Sequence, residues 1–168
     1  MFSVARSQHA SAEEAYSDLL AQARALLEGE RDFTANAANL ASLIFHTLPD
    51  LNWAGFYWLK GGELVLGPFQ GKPACVRIAL GKGVCGTAAR DGKTIVVPDV
   101  NAFPGHIACD SASASEIVVP IRHPGEGRGP IGVLDLDSPL KARFGASDAR
   151  GLEAIVSLFL EATDVVHR

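Results

Sequence analysis

The chain has 168 residues, 48% of them hydrophobic and 20% charged, and its formal net charge is −4. This length and balance fit a single folded domain over residues 1–168 with a sizeable core, and they exclude a mainly disordered chain. A mildly acidic sequence without clustered Lys and Arg gives no basis for nucleic-acid binding. No apolar run reaches the roughly 18–20 residues of a membrane span, and the start lacks the apolar centre of a secretion signal, so we expect a cytoplasmic protein.

Two amphipathic helices are predicted at the start of the chain. Ser11 and Glu14 have the spacing of a capping box, and apolar residues follow at helical spacing until Gly29 offers a stop. Thr34 is the predicted cap of the second helix, which Pro49 ends.

Strands dominate the middle of the chain. Residues 53–59 and 63–66 flank a Gly-Gly turn and predict a β-hairpin. Further strands are predicted at residues 74–80, 94–97, 116–121 and 131–136, with a short helix at residues 83–90, and Ser147 can cap a final helix. This order predicts an α+β fold in three layers, with a central, mainly antiparallel sheet covered by the N- and C-terminal helices.

Residues 106–120, HIACDSASASEIVVP, hold one cysteine, Cys109, in a Ser/Ala-rich segment that leads into an apolar strand. This composition predicts a loop on a rigid strand, which is where catalytic groups concentrate. We predict that Cys109 is a redox nucleophile and that another thiol of the chain resolves it. The alternative is that each of the three cysteines is a small buried hydrophobe.

Carboxylates at strand ends form a second pattern. Asp135 and Asp137 are two residues apart on a predicted strand and therefore share a face, while Glu116 begins another strand. A solvated strand end would explain the aspartates alone. If the two strands are neighbours, the three acids converge near the Cys109 loop, where they could hold an ammonium group. Their repulsion raises the pKa of at least one carboxyl, which could then donate a proton to a substrate oxygen.

The first strand carries aromatic residues on both of its faces, namely Trp53, Phe56, Tyr57 and Trp58. Core packing explains one pair. We place Trp53 and Tyr57 in the wall of a substrate site, because a tryptophan face suits a methyl group that carries partial positive charge.

Two other motifs have competing interpretations. Residues 81–86 fit the G-x-G-x-x-G string of dinucleotide sites, with Asp99 placed for a ribose, but that site needs a parallel βαβ crossover and a full-length helix. Turns and close packing explain the glycines better. Cys75, Cys85, His106 and Cys109 could be four zinc ligands, but their spacing is too wide for the usual ligand knuckles. We therefore expect neither a metal nor a cofactor.

The sequence resembles the free methionine-(R)-sulfoxide reductases, which are built on a GAF domain. The resemblance extends from NWAGFYW at Asn52 to the final helix and is most specific in GPFQGKPAC, GKGVCG, FPGHIACD, SEIVVP and GVLDLDSP. The turn at residues 123–130 is longer than is usual in the family, which bears on loop contacts and dimer geometry and not on the site residues.

The resemblance implies roles for individual residues. Cys109 corresponds to the attacking cysteine, Cys75 to the main resolving cysteine, and Cys85 to a third cysteine of the redox cycle. The substrate-binding residues correspond to Glu116, Asp135, Asp137 and Trp53, and Glu116 or Asp137 could polarise the sulfoxide as a protonated acid. The family also implies a cytosolic location, thioredoxin as the reductant and often a homodimer.

The expected reaction is attack of the Cys109 thiolate on the sulfoxide, a sulfenic acid intermediate, and an intramolecular disulfide that thioredoxin reduces. The alternative from another class is a non-catalytic GAF sensor that binds an amino acid or amine. A general thiol peroxidase is a third possibility.

Overall fold

The structure, a computed structural model, describes residues 11–105, 111–123 and 129–165. In these ranges no helix is both long and apolar enough to cross a membrane. The helices are α1 (Ala12–Leu27), α2 (Phe33–Thr47), α3 (Gly83–Asp91) and α4 (Ala146–Ala162), with a 3₁₀ turn at Val100–Ala102. The strands are β1 (Trp53–Lys60), β2 (Glu63–Gly71), β3 (Arg77–Ala79), β4 (Ile95–Val97), β5 (Ser115–Arg122) and β6 (Pro130–Ser138).

The strands form one six-stranded sheet in the order β3-β2-β1-β6-β5-β4. Every pairing in it is antiparallel, which confirms the predicted α+β class. The central pair, β1 and β6, joins distant parts of the chain, so the sheet order depends on contacts that local sequence does not encode.

Each face of the sheet has its own apolar core. Phe56 and Trp58 of β1 pack with α1, α2 and α4 on one face. Trp53 and Tyr57 lie on the opposite face, where α3 packs. The alternating aromatic pattern of β1 and the three-layer arrangement are thus confirmed, because successive strand residues point to opposite faces.

The helix starts differ in part from the prediction. Ser11 caps α1 as expected and accepts a hydrogen bond from the Glu14 amide at 3.2 Å. The cap of α2 is Asp32 rather than Thr34, because the Asp32 carboxylate accepts from the amides of residues 34 and 35 at 2.9 and 2.8 Å. At α4 the cap is Gly145 rather than Ser147, and the carboxylate of Asp148 accepts from the Gly145 amide at 2.8 Å.

Two strand lengths also differ. The second strand runs on to Gly71, whereas the predicted strand at residues 74–80 is reduced to Arg77–Ala79. The amide of Leu66 still bonds the carbonyl of Val76 at 3.0 Å. Pro68 follows two residues later and has no amide hydrogen to donate, so the ladder between β2 and β3 stops there.

A buried polar cluster joins the helical layer to the chain before β1. Besides capping α4, Asp148 accepts from the Tyr16 hydroxyl and from Arg143 Nη1, each at 2.9 Å. Arg143 Nε also donates to the carbonyl of Pro49 at 3.1 Å. We call Tyr16, Arg143 and Asp148 the helix-layer cluster.

Candidate active site

Strand register brings the three predicted carboxylates to one place. Glu116 on β5 is directly opposite Asp137 on β6, and Asp137 is also directly opposite Trp53 on β1. Asp135 lies two residues before Asp137 and shares its face of the sheet. The expected convergence of these acids at neighbouring strands is therefore present.

The carboxylates line a pocket between the sheet and α3. The space not filled by atoms, counting the part open to solvent, is about 530 Å³. Trp53 and Tyr57 contribute the aromatic part of its wall, and Cys85 of α3 lies beside the acids. The remaining lining residues are Pro73, Ala74, Ile78, Lys82, Gly83, Val84 and Ser113.

Burial controls the ionisation of two of the acids. Glu116 and Asp135 are each only 6% exposed. Burial raises the pKa of the Glu116 carboxyl well above its usual range, and the negative charge of Asp137 adds to this rise. The pKa of Asp135 is raised in the same direction, first by burial and then by the charges of Asp137 and Glu116. This pair therefore retains protons at a pH where exposed carboxyls have lost them.

One carboxylate oxygen in the pocket receives no hydrogen bond from the described residues. Asp135 Oδ1 is buried and makes no hydrogen bond within the part of the chain that the structure describes. Such an atom is unfavourable unless a ligand satisfies it. The pocket therefore offers an acceptor for a donor group that comes from outside the chain.

The thiol of Cys85 is a buried neighbour of the acids. The side chain is 4% exposed, and its Sγ donates to Glu116 Oε1 across 3.9 Å. Burial raises the pKa of this thiol well above its usual value, and the charges of Asp135 and Glu116 raise it further. A thiol that stays protonated is a poor nucleophile but can still donate a hydrogen bond.

Of the other two cysteines, Cys75 lies within the described residues and Cys109 does not. Cys75 is half-buried in the segment between β2 and β3, and its sulfur is disulfide-bonded. Cys109, the predicted nucleophile, and His106 lie outside the described residues. Ser113, shortly after Cys109 in sequence, lines the pocket and accepts from Asn52 Nδ2 at 3.0 Å.

Some pocket residues were not predicted from sequence. Ser113 belongs to the small-residue loop that drew attention to Cys109, so the composition of that loop could have identified Ser113 as a pocket residue. Lys82 and Val84 reach the pocket because α3 packs across the sheet. That contact depends on tertiary structure.

The geometry around residues 81–86 favours a packing role for the glycines over a dinucleotide site. The glycine string runs from the turn after β3 into the first turn of α3, beside an antiparallel sheet, and Gly81 and Gly83 have positive φ values of 79° and 59°. A Cβ on Gly86 would lie 2.3 Å from the Ala79 carbonyl oxygen, so tight packing explains that glycine. Asp99 caps the 3₁₀ turn and pairs with Lys141 at 2.7 Å, which is not the setting of a ribose ligand.

The four residues considered as zinc ligands cannot be compared as a set, because His106 and Cys109 lie outside the described residues. Cys75 is in a disulfide, and a different group, Cys85, Glu116 and Asp135, has donor atoms within 4.8 Å of one another. A cation held there would have to displace protons from groups whose pKa values are raised. The same atoms belong to the pocket described above.

Comparison with known proteins gives a consistent result. Residues 34–163 match the GAF domain family. The chain is 56% identical over 154 residues to Protein YtsP of Bacillus subtilis, covering 90% of this chain and 92% of that protein. It is 50% identical over 144 residues to the free methionine-R-sulfoxide reductase of Escherichia coli, covering 86% of each chain.

A solved structure gives the same relationship. The free methionine-R-sulfoxide reductase of Neisseria meningitidis, determined in complex with its substrate, is 41% identical, with a TM-score of 0.89. The alignment covers 96% of this chain and 95% of that one. With this similarity in sequence and fold, the chain belongs to the free methionine-R-sulfoxide reductase family of GAF-domain proteins.

Proposed function

We propose that this protein reduces free methionine-(R)-sulfoxide to methionine, with Cys109 as nucleophile and Cys75 as resolving thiol. The observation that carries the proposal is the pocket in which Glu116, Asp135 and Asp137 meet beside Trp53. Family membership supports the reaction class, and the (R) preference follows the relatives' names.

The acids suit an unblocked amino acid. A free amino acid carries an ammonium group, and Asp135 has a buried oxygen to which no described residue donates. An ammonium bound there would stabilise the ionised carboxylate in a site where burial otherwise opposes it. Methionine sulfoxide within a peptide has an uncharged amide at this position, so we expect peptides to be poor substrates.

Glu116 and Asp137 are proposed to act on the sulfoxide end. A protonated carboxyl donates a hydrogen bond to the sulfoxide oxygen, which makes the sulfur more electrophilic. The raised pKa of Glu116 supports this role, because this carboxyl keeps its proton to a higher pH than an exposed carboxyl does. Trp53 borders the same pocket and would contact the terminal methyl group.

The proposed chemistry has three balanced steps. The Cys109 sulfur attacks the sulfoxide sulfur and takes over its oxygen, so methionine leaves reduced and Cys109 becomes a sulfenic acid. The Cys75 thiol attacks that sulfenic sulfur, forms a disulfide and releases water. An external dithiol, proposed to be thioredoxin, reduces the disulfide by exchange. The disulfide-bonded state of Cys75 supports its place in this sequence.

Cys85 is proposed to support the site without changing its redox state. Its burial, its raised pKa and its hydrogen bond to Glu116 all favour a protonated thiol that orients the carboxyl. Replacement by serine, which also donates a hydrogen bond, is therefore the matched control for the other two cysteine variants.

The test is methionine formation from the separate R and S diastereomers, each free and within a peptide, with NADPH and the thioredoxin system. We expect turnover of the free R form alone. Cys109→Ser should abolish it, Cys75→Ser should release about one methionine per chain and stop, and Cys85→Ser should retain the full cycle. Turnover by the Cys109 variant would overturn the assignment. Binding of the amino acid without methionine formation by the wild type would instead support the sensor function.

A further inference from the structure

The segment that carries Cys75 has little regular structure of its own. Residues 72–76 connect β2 to β3 without helix or strand, and most of them are exposed. Proline at position 73 and the short β3 leave this stretch with few ladder contacts. A resolving thiol on such a segment needs other contacts to hold it where a disulfide can form.

Two aromatic residues of β1 supply such contacts. Trp53 Nε1 donates to the carbonyl of Lys72 at 3.2 Å, and the hydroxyl of Tyr57 donates to the carbonyl of Cys75 at 3.0 Å. Both donors belong to the same face of β1. They hold the two ends of the segment that leads to the thiol.

The aromatic rings are themselves held in place. Trp53 stacks between Tyr57 and Phe69, with ring centroids at 5.8 and 5.4 Å. Gly55 makes this stack possible, because a Cβ at that position would lie 2.6 Å from the Trp53 ring and 2.4 Å from the Phe69 Cβ. Tyr57 is 1% exposed, so its hydroxyl is directed by a rigid ring on a central strand.

The phenol remains a donor under all ordinary conditions. Burial raises the pKa of Tyr57, and the negative charge of Asp135 raises it further. Tyr57 lines the pocket, yet within the described residues its hydroxyl donates to the backbone carbonyl of Cys75 and not to an acid of the pocket. The hydroxyl is thus committed to the segment that bears the thiol.

We propose that the Tyr57 hydroxyl is a positioning group for the resolving thiol. By fixing the Cys75 backbone, the hydroxyl makes disulfide formation faster than the competing reactions of the sulfenic acid. This inference rests on the proposed function and adds a residue to its second step. In that step the Cys75 sulfur bonds to the Cys109 sulfenic sulfur, the S–O bond breaks, and the hydroxyl leaves as water with the thiol proton. Tyr57 takes no part in the transfer of electrons or protons.

The experiment separates the two steps with the full chain. Reduced protein is mixed with one equivalent of free methionine-(R)-sulfoxide, without reductant, in the presence of a 1,3-diketone that alkylates sulfenic acids. Methionine is quantified by chromatography, and the fractions of protein as disulfide and as diketone adduct are measured by intact mass. The ratio of disulfide to adduct reports disulfide formation relative to trapping, even where methionine formation limits the overall rate.

Tyr57→Phe removes the hydroxyl and keeps the stacked ring. We expect its disulfide-to-adduct ratio to fall roughly five- to tenfold, which is the usual effect of losing one hydrogen bond. Tyr16→Phe is the matched control, because it removes the hydroxyl of another buried tyrosine, which bonds Asp148 on the other face of the sheet. That control should keep the wild-type ratio, and Cys75→Ser should give adduct alone.

A wild-type ratio in Tyr57→Phe, or an equal fall in Tyr16→Phe, would overturn the inference. Failure of the proposed function is distinguishable, because the wild type would then form no methionine at all. In that case the sulfenic acid is generated with one equivalent of hydrogen peroxide, and the same ratio still tests Tyr57.

Discussion

Asp148 in the helical layer and Asp135 beside the pocket are buried to nearly the same extent, at 7% and 6% exposure, but their surroundings differ. Asp148 accepts from Tyr16, Arg143 and the Gly145 amide, so its charge is compensated. Among the described residues, one oxygen of Asp135 has no donor, and the charged neighbours of this carboxyl include Asp137 and Glu116.

The difference shows how one scaffold uses a buried acid in two ways. A carboxylate surrounded by a cation and donors stabilises the fold around it. A carboxylate held among other acids opposes folding and gains most from a ligand that brings the missing donor. Substitutions at the two positions should therefore affect different measured quantities.

The largest expected effect is the fall in kcat/KM of the Asp135→Asn variant. Loss of the charge proposed to hold the substrate ammonium should lower kcat/KM roughly 1000-fold, or about 4 kcal/mol. The free energy of unfolding should stay the same or rise, because a desolvated carboxyl is removed. Steady-state kinetics and urea unfolding measure the two quantities. Asp99→Asn, at a half-buried acid outside the pocket, is the control. A kcat/KM of Asp135→Asn within fivefold of wild type would refute the role of Asp135.

Asp148→Asn should show the opposite behaviour. Arg143 would be left with a largely buried, uncompensated charge, 16% exposed, so the free energy of unfolding should fall by about 2–4 kcal/mol. The folded variant should keep its kcat/KM. Asp164→Asn is the matched control, since its ion pair with Arg31 is exposed and should contribute less than about 1 kcal/mol. Equal losses in the two variants would show that burial of the helix-layer cluster does not matter.

The pH dependence of stability should separate the clusters further. Burial raises the pKa of Asp135 and Glu116 in the folded chain, so the unfolded chain loses these protons first as pH rises. The folded state then binds more protons, and wild-type stability falls from about pH 4 upward through the raised pKa values, by at most about 1.4 kcal/mol per pH unit for each proton. Asp135→Asn should lose less over that range.

Urea unfolding from pH 4.5 to pH 8 tests this dependence. The stability difference between Asp135→Asn and wild type should grow with pH, in favour of the variant. Parallel curves for the two proteins would mean that the folded-state pKa of Asp135 is not raised.

The smallest expected effect is that of Tyr16→Phe. It removes one of the three donors to Asp148 and leaves the other two, so the free energy of unfolding should fall by about 1 kcal/mol. Thermal unfolding of the variant and of wild type measures this loss. A loss as large as that of Asp148→Asn would mean that the Tyr16 hydroxyl, rather than the Arg143–Asp148 ion pair, stabilises the cluster.

The sequence alone was sufficient to predict those features that depend on the spacing of nearby residues. The alternation of β1 assigned Trp53 and Tyr57 to one face, and the two-residue spacing placed Asp135 and Asp137 together. The helix caps were harder to predict. Asp32 and Asp148 accept hydrogen bonds from backbone amides a few residues away, and the nearby Thr34 and Ser147 are equally plausible cap residues by sequence. The strand predicted at residues 74–80 was too long because Pro68, on the neighbouring strand β2, ends the hydrogen-bond ladder between β2 and β3. The sequence of residues 74–80 itself does not contain this information.

What sequence could not supply is long-range pairing. Tyr16 and Asp148 meet across most of the chain, and no local pattern predicts their contact. The convergence of Glu116 with the aspartates was conditional until β5 and β6 were seen to be neighbours. Tyr57 was predicted as a pocket wall residue, and its hydroxyl contact with the Cys75 carbonyl follows only from the observed path of residues 72–76.

The position of β1 at the centre of the sheet has a consequence for engineering. Because its alternate side chains serve the helical core and the pocket wall, inserting or deleting one residue would exchange the two aromatic pairs. Transplanting this site into another GAF scaffold would therefore require β1 with Gly55 as one unit, together with β6 in its native register. Moving the acids and cysteines alone would leave the pocket without its wall.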